Sequence, residues 1–307
     1  MNYEKEKFPP IGIRWTVGDV SPAGFEALHL SLWGMWRLFG RNAQYLVYVN
    51  TIPLRDAIKS TGEIPSEVRW RDATGLVPGW LRAHVSPEMA EGVAWKLAPI
   101  RSFPESYELS LDNDVILWAL PAAIERWLIS GTRETCLLAA DLTPALGQFA
   151  SLCSDRALNS GIRGLPPGFD LETRLRDTLA QSGVTLQSEL DEQGLQAATL
   201  LKTRLGVVST EDVSICSPFP NHQQHLGACG AHFVGLNPNR SPWILDGRFA
   251  HEVIREFWQA RKDRLRALTN PGVFIGGSRH LAHASGSNHV PTRDRTARTA
   301  DPFGRHA

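Results

Sequence analysis

The chain has 307 residues, 42% of them hydrophobic and 21% charged, which is enough apolar material to bury a full core as one large domain or two smaller ones. Lys plus Arg and Asp plus Glu each total 32, so there is no overall basic field to hold nucleic acid or an anionic membrane, and any anion must be met locally. The opening MNYEKEKFPP lacks an apolar signal core, and no later run approaches the roughly eighteen apolar residues of a membrane span. The four cysteines, Cys136, Cys153, Cys216 and Cys229, show no CxxC spacing, and the expectation is a cytoplasmic protein with free buried thiols.

In chain order the pattern alternates strand and helix. IGIRWTVGDV (11–20) reads as a strand closed by a Gly/Asp turn, GFEALHLSLWGMWRLFG (24–40) as an amphipathic helix, and QYLVYVN (44–50) as a second buried strand, which makes one βαβ unit. VRWRDAT (68–74) suits a third strand, PEMAEGVAWKLAPIR (87–101) a helix closed at Pro99, and YELSLD (107–112) a fourth strand. PAAIERWLISG (121–131) reads as a helix with Pro121 in its first turn, followed by the strand TCLLAAD (135–141). Trp33, Trp36 and Trp127 fall on helices with apolar partners and are expected in the core. From about Ser285 the chain is polar and without apolar period, so residues 285–307 are expected to form a disordered tail behind a single domain over residues 1–284.

Short strands separated by helices argue for an α/β protein with a mostly parallel sheet, whose ligands gather beyond the carboxyl ends of the strands. In YELSLDNDVILWALP (107–121) an otherwise apolar strand ends on Asp112 and Asp114 around Asn113, at such an end. Charges in that position want a cation or water. Two carboxylates two residues apart can reach one divalent ion, and Mg²⁺ or Mn²⁺ favours such oxygen ligands together with phosphate oxygens. An acidic loop at a strand exit is the plain alternative.

Three later segments extend the pattern. LNSGIRGLPPGFD (158–170) puts Asn159, Ser160 and Gly161 in an expected tight polar turn; ELDEQGLQAATLLKTRL (189–205) puts Asp191, Glu192 and Gln193 at a helix start, where Asp191 also suits an N-cap; GAHFVGLNPNRSPW (230–243) sets His232 between a Gly/Ala turn and a Gly235 loop. In this order LDNDV, NSG, DEQGL and HFVGLNP…PW resemble the signature series of GT-A fold glycosyltransferases, most nearly the retaining glycogenin and lipopolysaccharide galactosyltransferase group, over roughly residues 11 to 260. The resemblance implies a Rossmann-type mixed, mostly parallel sheet flanked by helices and a metal-dependent hexosyltransferase. Its donor would be a nucleotide diphosphate sugar, with UDP as the candidate nucleotide, and its acceptor is not specified.

What the resemblance implies for individual residues is as follows. Asp112, Asp114 and His232 would hold Mn²⁺ or Mg²⁺, and the ion the diphosphate. Thr16, Val17 and Gly18 at the end of the first strand would cradle the base; Asn113, Asn159 and Ser160 would face the donor; Glu192 and Gln193, with neighbouring Asp191, would carry the acidic-Gln catalytic segment. Where the family has a Lys-Pro-Trp, this chain has Asn237, Pro238, Asn239, Arg240 and Ser241 before Pro242 and Trp243 and lacks the lysine, so Arg240, or Lys96 ahead of the DxD strand, would have to supply the missing cation. Two rival readings stand beside this one. A degenerate sugar-nucleotide binder would account for the absent lysine. A haloacid-dehalogenase-type phosphatase would use Asp112 as nucleophile and Asp114 as general acid, with Thr132, Lys202 and Asp212 following.

Overall fold

The computed structural model describes residues 8–86 and 95–269. A seven-stranded sheet runs in the order β3-β2-β1-β4-β7-β6-β8, built from β1 (Ile11–Val17), β2 (Ala43–Val49), β3 (Val68–Asp72), β4 (Tyr107–Asp112), β6 (Thr135–Ala140), β7 (Leu158–Leu165) and β8 (Arg204–Val208). Four of its six pairings are parallel; β7 runs against both β4 and β6. A smaller sheet of β5 (Val115–Leu117), β10 (Gly230–His232) and β9 (Val213–Ile215) stands at the end of β4, and a hairpin of β11 (Ile244–Leu245) and β12 (Arg248–Phe249) follows.

The helices cover the faces. They are α1 (Pro22–Phe39), α2 (Leu54–Thr61), the short α3 (Gly79–Arg82), α4 (Ala122–Ser130), α5 (Leu171–Ser182), α6 (Glu189–Leu200) and α7 (Ala250–Thr269). α1 begins where a sequence rule says it should. Ser21 accepts a hydrogen bond from Gly24 N at 3.1 Å, and Pro22 occupies the first turn, where a missing N–H costs nothing. The same serine ties the helix to the His232 segment, since its Oγ donates to Leu236 O at 2.7 Å. α1 presses Gly34 so close to β5 that an added Cβ would sit 2.1 Å from the Leu117 carbonyl.

Strand alternation divides the large sheet into two unlike faces. Ile13, Trp15, Leu109, Leu111 and Ile162 point into an apolar core shared with α1 and α4. Their neighbours Arg14, Glu108 and Arg163 are buried as well. The expected helix over 87–101 lies mostly outside the described residues; its described remainder, Trp95–Leu97, is a single 3₁₀ turn. Pro121 is the N-cap of α4 rather than a residue of its first turn. The tail expected at 285–307 also lies outside the described residues.

Candidate active site

Two ladders bring the site together. In the large sheet Asp112 is the last residue of β4 and the register partner of Thr16, at the carboxyl edge of the parallel strands. One turn later β5 pairs antiparallel with β10, and His232 falls opposite Val115, next to Asp114; the Phe233 N–H donates to the Asp114 carbonyl at 2.9 Å. His232 is therefore a strand residue, not the follower of a turn, and a backbone ladder fixes it against the acids more than a hundred residues away.

Asp112, Asp114 and His232 each offer a ligand atom within 4.8 Å of the others. His232 Nε2 stands 3.4 Å from Asp114 Oδ1 and 3.8 Å from Asp112 Oδ2. Asp114 Oδ1 is buried and accepts no hydrogen bond, which is expensive for a carboxylate oxygen unless a cation meets it. The other oxygen of Asp114 accepts from Asn237 Nδ2 at 3.2 Å. Lys96 Nζ lies 2.8 Å from Asp112 Oδ2 and 3.9 Å from Glu192 Oε2.

Electrostatics follows the geometry. Burial alone would lower the His232 pKa, but the Asp114 and Asp112 carboxylates outweigh it and hold it above the ordinary histidine value. Burial tends to raise the Asp112 pKa, and Lys96 and His232 overcome that and keep it below the usual carboxylate range. Glu192 is different: burial, only partly offset by Lys96, pushes its carboxyl up to about 7. Its Oε2 accepts no hydrogen bond, while Oε1 accepts from Gln196 one helical turn on.

The Asn159–Ser160–Gly161 segment is not a turn. It lies in β7, which, being antiparallel to β4, begins at the same edge where β4 ends. Against β6 the register jumps from Leu138↔Arg163 to Ala139↔Asn159, so residues 160–162 bulge out of that pairing. The bulge explains the glycine: a Cβ on Gly161 would lie 2.6 Å from His232 Cε1. Asn159 Nδ2 donates to Asp141 Oδ2 at 2.9 Å, and its Oδ1 accepts from Gly161 N at 2.7 Å.

Of the DEQ segment only Glu192 faces the acids. Ser188, not Asp191, caps α6. Asp191 accepts from Gln148 N, Gln148 Nε2 and Gln187 N, at 2.8, 2.9 and 2.8 Å, and so holds the 3₁₀ segment Gly147–Cys153 on the helix start. Gln193 joins two chain segments, accepting from Ser160 N at 3.1 Å and donating to Ala145 O at 2.8 Å.

Elsewhere, Thr16 lines the same cavity as Asp112 and Lys96, whereas the Val17 side chain is buried in the apolar core. Gly18 is packed against the next strand end, where a Cβ would meet Asn50 Oδ1 at 2.6 Å. Asn113 turns inward. Its Nδ2 donates to Gly24 O at 3.2 Å and Asn237 Oδ1 at 2.7 Å, and Asn237 Nδ2 returns a bond to Asn113 Oδ1 at 3.1 Å. Arg240 is exposed in the loop after β10. Sequence reasoning missed Asn237, which clamps the DxD turn, although the polar residue in HFVGLNP was a visible signal. It also missed Arg163. Thr132, Lys202 and Asp212 bond instead to Thr135, to Thr178 and Gln181, and to Cys229, so no phosphatase set forms around Asp112.

No protein-family model and no curated protein matches the chain at a significant level. Solved structures do. Mouse xyloside xylosyltransferase 1 in its apo form aligns with a TM-score of 0.53 at 12% identity, over 75% of this chain and 99% of that one. The apo bifunctional glycosyltransferase WbbM aligns with a TM-score of 0.52 at 13% identity, over 87% of this chain and 53% of that one, so this chain spans about half of WbbM. Galactosyltransferase LgtC, in complex with donor and acceptor sugar analogs, aligns with a TM-score of 0.48 at 13% identity, over 81% of this chain and 95% of that one. The chain has the GT-A fold of glycosyltransferases.

Proposed function

We propose that the protein is a metal-dependent glycosyltransferase that moves a hexose from a nucleotide diphosphate sugar to an acceptor. The observation that carries this is the convergence of Asp112, Asp114 and His232 at the carboxyl edge of a GT-A sheet, where the buried Asp114 Oδ1 has only the His232 ring, at 3.4 Å, beside it. This set of two carboxylates and an imidazole fits Mn²⁺ or Mg²⁺. When bound, such an ion neutralises charge on a leaving diphosphate.

The chain's own residues do the rest. Lys96, whose pKa the neighbouring Asp112 and Glu192 hold above its ordinary value against the pull of burial, is a permanent cation beside the site and takes the place of the lysine missing from the later loop. Glu192 keeps its proton to near neutrality and offers an acid hydroxyl or a carboxylate to the sugar. Of the three acidic-Gln residues it is the one placed for chemistry, while Asp191 and Gln193 hold the loops that frame it. The Gly161 bulge leaves Ser160 Oγ buried and unpartnered in the same cavity wall. All four cysteines are free, which supports a reducing, cytoplasmic setting.

The test is calorimetric titration of UDP with and without Mn²⁺, followed by turnover of UDP-sugars. Asp114→Asn is expected to weaken metal-supported UDP binding by about tenfold or more, the loss of one charged ligand. Equal affinity for mutant and wild type in Mn²⁺ would sink the metal site. Tight binding without transfer or hydrolysis of any UDP-sugar would favour the non-catalytic binder.

A further inference from the structure

The polar face of the large sheet carries several buried cations, and they are not equally paired. Arg14, Arg101, Arg163 and Lys96 stand among Glu108, Glu192 and Asp112. Arg14 Nη1 and Arg101 Nε share the one carboxylate of Glu108, at 3.9 and 3.6 Å, and Lys96 sits on Asp112 at 2.8 Å. Arg163 has no carboxylate within ion-pair distance among the described residues. Its guanidinium donates from Nη1 to Gln196 Oε1, and Nε and Nη2 have no acceptor, although the residue is 1% exposed. Burial pulls its pKa down to about 10, with Arg14 adding to the effect, so it stays charged at neutral pH.

Glu108 and Glu192 offset part of the charge of Arg163 from beyond ion-pair distance, but a buried guanidinium with two N–H positions unmet is costly, and the residue types around it say what would relieve the cost. Arg163 lines a cavity of about 10 Å³, room for roughly one water, together with Thr16, Ser110, Asp112, Ser160, Gln196 and Lys96. Ser160 Oγ, also buried, has no partner either. Ser110 and Arg163 are register partners one pleat below the Asp112 edge, so the cavity lies beneath the metal ligands rather than beside them. Lys96, one third exposed and paired with Asp112 at 2.8 Å, lines the same space, and a group larger than a water enters only when Lys96 leaves Asp112.

Building on the glycosyltransferase reading, we infer that this cavity is the floor of the donor-sugar subsite and that it selects a sugar bearing a carboxylate, a nucleoside diphosphate hexuronate. A guanidinium with two free N–H positions matches a planar carboxylate, with the Ser160 hydroxyl as a further donor. A neutral hexose brings only hydroxyls and leaves the charge of Arg163 unmatched. The diphosphate offers the same anionic chemistry, but it belongs at the rim, with Asp112, Asp114 and His232.

The experiment is calorimetric titration of the full chain in Mn²⁺ with UDP, UDP-glucose, UDP-galactose, UDP-glucuronate and UDP-galacturonate, on wild type, Arg163→Met and Arg163→Lys. At least one hexuronate is expected to bind about tenfold or more tighter than its matching hexose. Arg163→Met should erase that ratio with UDP affinity retained, and Arg163→Lys should keep part of it. A melting curve establishes that each variant folds; should Arg163→Met not fold, the wild-type hexuronate-to-hexose ratio still decides. A hexose bound as tightly as its hexuronate overturns the inference and leaves the glycosyltransferase reading standing. Loss of UDP binding itself in a folded Arg163→Met also overturns it, because the guanidinium would then serve the diphosphate. Failure of every UDP compound to bind wild type removes both readings.

Discussion

The two faces of the central sheet are made by the same strands and are equally buried, yet they differ in chemistry. On one, Ile13, Trp15, Leu109 and Leu111 interlock with α1 and α4 by shape, with a single polar tie from Trp15 Nε1 to Ser31 Oγ at 2.8 Å among these four. On the other, one residue along each strand, Arg14, Glu108 and Arg163 are equally buried but must be matched charge by charge. The apolar face supplies stability that survives small changes of shape. The polar face supplies little net stability and holds charge where a substrate can use it. The comparison teaches that burial alone does not distinguish core from site; what distinguishes them is whether buried groups find their partners within the chain.

That contrast can be broken from either side. Glu108→Ala should have the largest effect, because it strands Arg14 and Arg101 without their shared carboxylate and removes the acceptor for Ser102 N and Phe103 N; a loss of about 3–5 kcal/mol in urea unfolding is expected. Leu109→Ala, the adjacent residue on the apolar face, should cost about 2–5 kcal/mol through cavity formation, with nucleotide affinity retained in the folded fraction. Asp170→Ala, at the N-cap of α5 and outside both faces, should cost about 1 kcal/mol at neutral pH. The hydrogen bonds from Thr173 hold the Asp170 pKa below its ordinary value, so its contribution is present above the unfolded carboxylate value and is lost as pH falls through the folded one. The variant and wild type should therefore converge in stability at acid pH, and a gap that persists there would show that the cap acts through something other than its charge.

Much of this was legible in the chain before any coordinates. Short apolar runs between turn signals located β1, β2, β3, β4 and β6, and the acids at the end of β4 stood out because an apolar strand rarely finishes on two of them. The order of the motifs named the fold. What could not be read was any property set by pairing across the sheet. Asn159 to Gly161 have turn chemistry, yet the chain is extended there because β4 needs a partner on that side; the bulge takes up the small residues instead. Asp191 has the composition of an N-cap but lies three residues inside a helix capped by Ser188, held by the loop that Gln148 anchors. Arg163 reads as one cation among many until register places it beneath Asp112.

The register of β10 against β5 has a further consequence. Asp112 ends a strand of the large sheet, whereas Asp114 lies in the turn into β5 and His232 ends β10, the central strand of the small sheet, so the three proposed cation ligands straddle a seam between two hydrogen-bonded units. An ion held by all three would lock the units against separate opening. In deuterium-exchange mass spectrometry, Mn²⁺ together with UDP should slow exchange in Val115–Leu117 and Gly230–His232 in step, while β3 at the far edge keeps its own rate.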